Sequence, residues 1–64
     1  MKLNAKHNNM TFEIVEDSPE VGFYLLCYDS LGKNIHDYLQ DNPKMAKELA
    51  WEQFGVPLDS WTEE

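Results

Sequence analysis

The stretch Tyr28-Asp29-Ser30-Leu31-Gly32-Lys33-Asn34, followed by Asp41-Asn42-Pro43 and later by Gly55, decides how this chain folds. Asp29-Ser30-Leu31-Gly32 suits a type I turn closed by a left-handed residue, and glycine takes positive φ without a Cβ penalty. The result is a three-residue hairpin loop with a glycine bulge. It joins residues 21–28 to residues 34–40 as antiparallel strands. The register it predicts sets Cys27 opposite Ile35, Leu25 opposite Asp37 and Phe23 opposite Leu39. On the other face it pairs Leu26 with His36 and Tyr24 with Tyr38.

Working outward, residues 21–28 are apolar on both faces, the pattern of a central strand. Gly22 marks a bend or bulge at its start. Upstream, Asp17-Ser18-Pro19-Glu20 reads as a turn. Before it, Met10, Phe12 and Ile14 alternate with Thr11, Glu13 and Val15, the period of a half-buried strand. Residues 1–9 are polar and Asn-rich, and are expected to form a loose N-terminal arm. Downstream, Asn42 as N-cap and Pro43 at the first helical position start a helix that runs to Phe54. Met45, Ala46, Leu49, Ala50 and, at the margin, Phe54 line one face of it. Gly55 fits the position after the helix end, and Pro57 prevents continuation. Val56, Leu58 and Trp61 offer anchors for a docked tail. The expected architecture is one α+β domain over residues 1–64, a three-stranded antiparallel meander packed on one C-terminal helix, in the order β-β-β-α.

Composition narrows the function. Sixty-four residues bury only about 60% of their unfolded surface, so the core is marginal. The lone Cys27 closes no internal disulfide, and no Cys/His cluster has zinc-ligand spacing, which leaves oligomerisation as the available staple. Twelve acids face five lysines and no arginine, for a net charge of −7. Arginine is the usual bidentate reader of phosphate and guanine, so nucleic acid is an improbable partner. Acidity suits a basic partner or plain solubility. The first residues lack the apolar run of a secretory signal, no stretch approaches a bilayer span, and a single unpaired cysteine fits a reducing compartment; a cytoplasmic location is expected. Asn9-Met10-Thr11 matches a glycosylation sequon, which carries little weight without a secretion signal.

No constellation of side chains assembles an active site, and the chain reads as a non-enzyme without metal, cofactor or small-molecule substrate. His7 lies in the polar arm. His36 neighbours Asp37 in sequence, but adjacent strand residues point to opposite faces and cannot pair. Asp37 falls among helix-facing residues in the expected register, where a carboxylate needs hydrogen-bond partners. The acidic runs 16–20 and 59–64 lack the ligand alternation of a calcium loop. Ser18, Ser30 and Ser60 have no neighbouring base, Cys27 reads as a small core hydrophobe, and Gly32 alone makes no phosphate cradle. The stronger signal is aromatic. Tyr24, Leu26, Tyr28, His36 and Tyr38 share the expected sheet face that a single helix leaves uncovered, and Trp51 falls outside the helix stripe. These six form the candidate interaction face, for a second copy of the chain or another protein. The alternative is an acidic inhibitor, an immunity protein or nucleic-acid mimic, blocking a basic site.

In Tyr28-Asp29, Gly32-Lys33, Ile35, Asp37-Tyr38-Leu39-Gln40-Asp41, Ala46-Lys47, Phe54-Gly55-Val56-Pro57 and Trp61 the chain resembles a group of very small, uncharacterised bacterial proteins. The resemblance covers roughly residues 23–61 and rests mostly on turn, cap and core positions. It implies a bacterial source, a cytoplasmic location and a β-hairpin plus helix, with no established activity. Some compact acidic bacterial proteins of this shape are toxin-neutralising immunity proteins, an analogy that transfers no functional residue.

Charge and the missing arginine predict no measurable complex with DNA or RNA at physiological salt. A fluorescence-anisotropy titration checks this; a salt-sensitive, low-micromolar complex would overturn the electrostatic argument.

Overall fold

The computed structural model describes residues 2–18 and 21–63. Along the chain run β1 (Lys2–His7), β2 (Met10–Glu16), β3 (Phe23–Tyr28), β4 (Asn34–Gln40), α1 (Pro43–Phe54) and β5 (Thr62–Glu63). The strands form one antiparallel sheet in the order β4-β3-β2-β1-β5. The class is α+β, with five strands rather than the expected three, and α1 is followed by β5 rather than ending the fold. Of the expected turn at 17–20, Pro19 and Glu20 lie outside the described residues, as do Met1 of the arm and Glu64 of the tail.

The expected loose arm is β1. Leu3 and Ala5 are buried in the core, while Lys2, Asn4 and Lys6 point the other way. Asn8 and Asn9 both take positive φ, 51° and 65°, between His7 and its partner Met10. Two such residues make the type I′ turn whose twist matches a two-residue hairpin, and asparagine tolerates it. The Asn-Asn pair was therefore a hairpin signal, and the alternation of residues 2–6 a strand signal.

The Asp29–Gly32 turn forms as its residues dictate. The Gly32 N–H donates to the Asp29 carbonyl (3.0 Å), Gly32 sits at φ 83°, and the Asp29 carboxylate accepts from the N–H groups of Leu31 and Lys33 (2.9 Å each). Tyr28 pairs with Asn34 as that loop requires, but Cys27 pairs with His36. Ile35 is an extra residue in the edge strand, a β-bulge. The Asn34 side-chain amide donates to the carbonyls of Cys27 (3.2 Å) and His36 (3.1 Å) and repairs the interrupted ladder. A one-residue shift turns every side chain beyond it to the opposite face. The observed pairs are Leu26–Asp37, Leu25–Tyr38, Tyr24–Leu39 and Phe23–Gln40. The expected register is thereby corrected: Asp37 leaves the helix side and Tyr38 enters it.

Helix α1 starts and stops as expected. The Asn42 carboxamide accepts from the Met45 N–H (2.8 Å), Pro43 opens the first turn, and Gly55 and Val56 donate to the Trp51 and Ala50 carbonyls. The helix lies across β2, β3 and β4. Ala46 and Ala50 are fully buried and let its backbone approach the sheet closely, whereas Met45 is 41% exposed. The core consists of Leu3, Ala5, Phe12, Ile14, Leu25, Cys27, Ala46, Ala50 and Val56. Of the expected tail anchors, Val56 is buried, Trp61 packs against the core and Leu58 stays exposed.

Gly22 has a specific task. Its φ is 117°, and a Cβ there would collide with the Gln40 carbonyl oxygen. Its own carbonyl accepts from Asp17 N–H (2.9 Å) at the entry to β3. Gly22→Ala combines a backbone clash with a disfavoured φ, and is expected to cost about 2 kcal/mol or more. For a domain of this size that lowers Tm by about 10 °C. Thermal denaturation measures it; an unchanged midpoint would show that the 17–22 segment can relax away from β4.

Candidate interaction face

The sheet has two unlike faces. One packs on α1 and the tail. Opposite it lie Lys2, Asn4 and Lys6 from β1, Thr11, Glu13 and Val15 from β2, Tyr24, Leu26 and Tyr28 from β3, and Asp37 and Leu39 from β4. No helix covers this side. Val15, Tyr24 and Leu39 stand side by side across three strands, with Leu26 next to Tyr24 along β3. Val15, Tyr24, Leu26 and Tyr28 are half-buried, and Leu39 is 49% exposed. Val15, Tyr24 and Leu39 form an apolar row across one end of the open face, and Leu26 and Tyr28 continue it along β3.

The charges on this face balance. Lys2 and Lys6 stand on the β1 side, Glu13 in the middle and Asp37 on the β4 side, so two cations meet two carboxylates in a chain of net charge −7. Glu13 is partnered in place: Lys2 Nζ lies 3.1 Å from one carboxylate oxygen, and the Tyr28 hydroxyl donates to the other at 3.0 Å. Among the described residues, the other acids lie elsewhere: Glu16 ends β2 on the helix side, Glu63 is in β5, and the rest are on loops and α1.

Of the six candidate residues, Tyr24, Leu26 and Tyr28 lie together on the open face. His36 and Tyr38 do not: the bulge places them on the helix side, which corrects the expected grouping. There His36 stacks on Tyr38 (centroids 6.0 Å, 23°) and tilts against Phe54 (5.7 Å), which in turn meets Phe12 (5.3 Å). Trp51 is on α1, 53% exposed, where it walls an apolar depression of about 250 Å3 with Pro57, Leu58 and Asp59. The depression offers little polar surface to orient a ligand. Sequence reasoning missed Val15 and Leu39 as face residues, because Val15 joins the face only through the β2–β3 register that sets it beside Tyr24, and Leu39 needed the bulge. Lys2 and Lys6 were hidden by reading β1 as an arm.

Neither histidine stands in a catalytic constellation. His7 lies beside Gly55 at the end of α1, within 3.6 Å of where a Cβ there would sit, so it belongs to the hairpin rather than a solvated arm. Among the described residues, no group of three or more His, Cys, Asp or Glu is placed to hold a metal ion. Nor, among them, is any helix long and apolar enough to cross a membrane. The buried Cys27 thiol is pushed up to about 11, by burial first and by the Asp37 carboxylate second, so it stays protonated and unreactive at neutral pH. The Tyr28 hydroxyl is also raised, by burial and by its hydrogen bond to Glu13. No protein family, characterised relative or solved structure matches this chain.

The thiol sets an alkaline stability limit. Unfolded Cys27 ionises near pH 9 while the folded thiol holds its proton to about pH 11. The native state then binds more protons than the unfolded state, so stability falls as pH rises through that window and is unaffected below it. The slope from one such group is about 1.4 kcal/mol per pH unit. Urea denaturation from pH 8 upward checks this: Cys27→Ala should lower stability overall but flatten the fall between pH 9 and the range where Tyr28 titrates. Parallel curves for the two proteins would remove Cys27 as the cause.

Proposed function

We propose that this chain is a non-enzymatic cytoplasmic protein that acts by protein–protein contact, through the open sheet face centred on Tyr24 and Leu26. The observation that supports this reading is the uncovered apolar strip Val15–Tyr24–Leu39 with Leu26 beside it, on a face where, among the described residues, Lys2 and Lys6 balance Glu13 and Asp37. Contiguous apolar surface on a small domain more often marks an interface than idle exposure. Tyrosines suit such a face, since they bury large area at small entropic cost and keep a polar tip. The sheet edges are less suited to contact. The β4 edge carries a bulge and Asp37, both of which discourage strand addition, and β5 at the other edge has only two residues.

The acidic-inhibitor reading draws on a different surface, the exposed carboxylates of Asp17, Asp41, Glu48, Glu52 and Asp59. The two separate by salt, because contact through exposed charges weakens steeply with ionic strength and apolar contact does not.

Leu26→Lys tests the proposal. Leu26 stands directly between Glu13 and Asp37, so a lysine there meets two carboxylates and the variant is expected to stay folded by circular dichroism. Immobilised wild-type protein should retain a partner, another copy included, from its native cytosol at physiological salt, and Leu26→Lys should lose it. A partner retained equally by both, and released by moderate salt, would sink the face reading in favour of the acidic surface.

A further inference from the structure

We infer that the open face is occupied by a second copy of this chain, in a two-fold dimer that stacks the two sheets with β1 of each copy over β4 of the other. The inference rests on the contact-face reading and names its partner. The pattern of charge across the four strands carries it. From one side of the face to the other run Lys2 and Lys6 on β1, the apolar strip with the internally paired Glu13 on β2 and β3, and Asp37 on β4. Lys6 lies on one flank, beside a Lys2 already bonded to Glu13, Asp37 lies on the other, and the apolar residues of β2 and β3 lie between, so Lys6 and Asp37 make the face self-complementary.

With the strands of the two stacked sheets aligned, a closed dimer can place its two-fold axis along the strands or across them. An axis along the strands keeps each cross-strand row opposite itself and reverses the strand order. The row Asn4–Glu13–Leu26–Asp37 then meets its own reverse, so Asp37 of one copy falls over Asn4 of the other. Lys2 and Lys6 lie two residues to either side of Asn4, about 7 Å away along the strand, within reach of a lysine side chain. Val15 falls over Tyr24, and Thr11 over Tyr28. An axis across the strands instead puts β4 over β4. Asp37 then meets Asp37, and Lys2 meets Lys6, like on like. The charges thus select the first arrangement. Glu13 enters the interface already bonded to Lys2 and Tyr28, so no carboxylate is buried unpaired.

Size and net charge set the strength. Four strands about 4.8 Å apart and six or seven residues long give a face roughly 20 Å square, about 400 Å2 in plan. That is small beside the ~800 Å2 per partner of a standard complex, so a micromolar dimer is expected. Stacking through the balanced face also keeps the net charge of −7 on each copy pointing outward.

Sedimentation equilibrium with a charge exchange tests both partner and arrangement. Wild type should dimerise. Lys6→Glu places a carboxylate against Asp37, Asp37→Lys places a lysine between Lys2 and Lys6, and each substitution acts twice by symmetry. Both variants, folded by circular dichroism, should self-associate at least about tenfold more weakly. Mixed in equal amounts, the two should recover a heterodimer, because on one flank the altered positions 6 and 37 meet with opposite charge and on the other flank Lys6 and Asp37 meet as in wild type. Variants that weaken but do not recover on mixing would overturn the β1-over-β4 arrangement. A wild type monomeric at millimolar concentration would overturn the dimer alone and leave the contact face to its own test. A dimer unaffected by Leu26→Lys would place self-association elsewhere and overturn the dimer on this face, again leaving the contact face to its own test.

Discussion

One extra residue in an edge strand governs the rest of this structure. Ile35 bulges out between the Tyr28–Asn34 and Cys27–His36 pairs, and from there β4 runs one step out of the register that its hairpin loop sets. Without the bulge Asp37 would face α1, opposite the fully buried Leu25. Tyr38, which takes that position instead, is half-buried against the core, where a carboxylate would lose hydration without gaining a partner and the tyrosine ring would lose its apolar contacts. The bulge costs a ladder pairing, and the two hydrogen bonds from the Asn34 amide recover much of that. The larger penalty decides the register. Tyr38 moves in against the core, and Asp37 moves out to the open face.

That register also divides the molecule electrically. The helix side of the sheet is apolar, with His36 held among Tyr38 and Phe54. The opposite side has Glu13 and Asp37 to balance the lysines of β1. A protein with a surplus of seven negative charges therefore presents one surface where a close approach meets no net repulsion. The apolar strip lies there, so electrostatics and hydrophobic burial favour the same face.

A chain this short needs every element in its core. The largest fully buried side chains are Phe12, Ile14, Leu25, Val56 and Cys27, drawn from β2, β3 and the segment after α1. Leu3 and Ala5 of β1 complete the floor under that segment, and β5 pairs with β1 to fasten the chain end. The helix contributes alanines rather than large residues at its two buried positions, so it gains contact by proximity instead of volume. The core is thin, and the open face offers further apolar surface to add to it.

Local chemistry was legible in the sequence. The Asp29–Gly32 turn, the Asn42 cap, Pro43, the Gly55 stop and the half-buried β2 each depend on residues close together in the chain, and each stands where those residues put it. Tyr24, Leu26 and Tyr28 were readable as one face because they alternate within a single strand. The Asn8-Asn9 turn was equally local, and its signal was present in the sequence. The faces of β4 were decided elsewhere. Whether Asp37 or Tyr38 turns toward the helix depends on the cost of burying a carboxylate under α1, and that cost exists only once the helix is packed. Strand β5 depends on β1, nearly sixty residues earlier, offering a free edge. Turns and caps follow from φ preferences and short hydrogen bonds, which the sequence specifies by itself. Strand register and the composition of a shared face follow from burial, which only the assembled tertiary structure can decide.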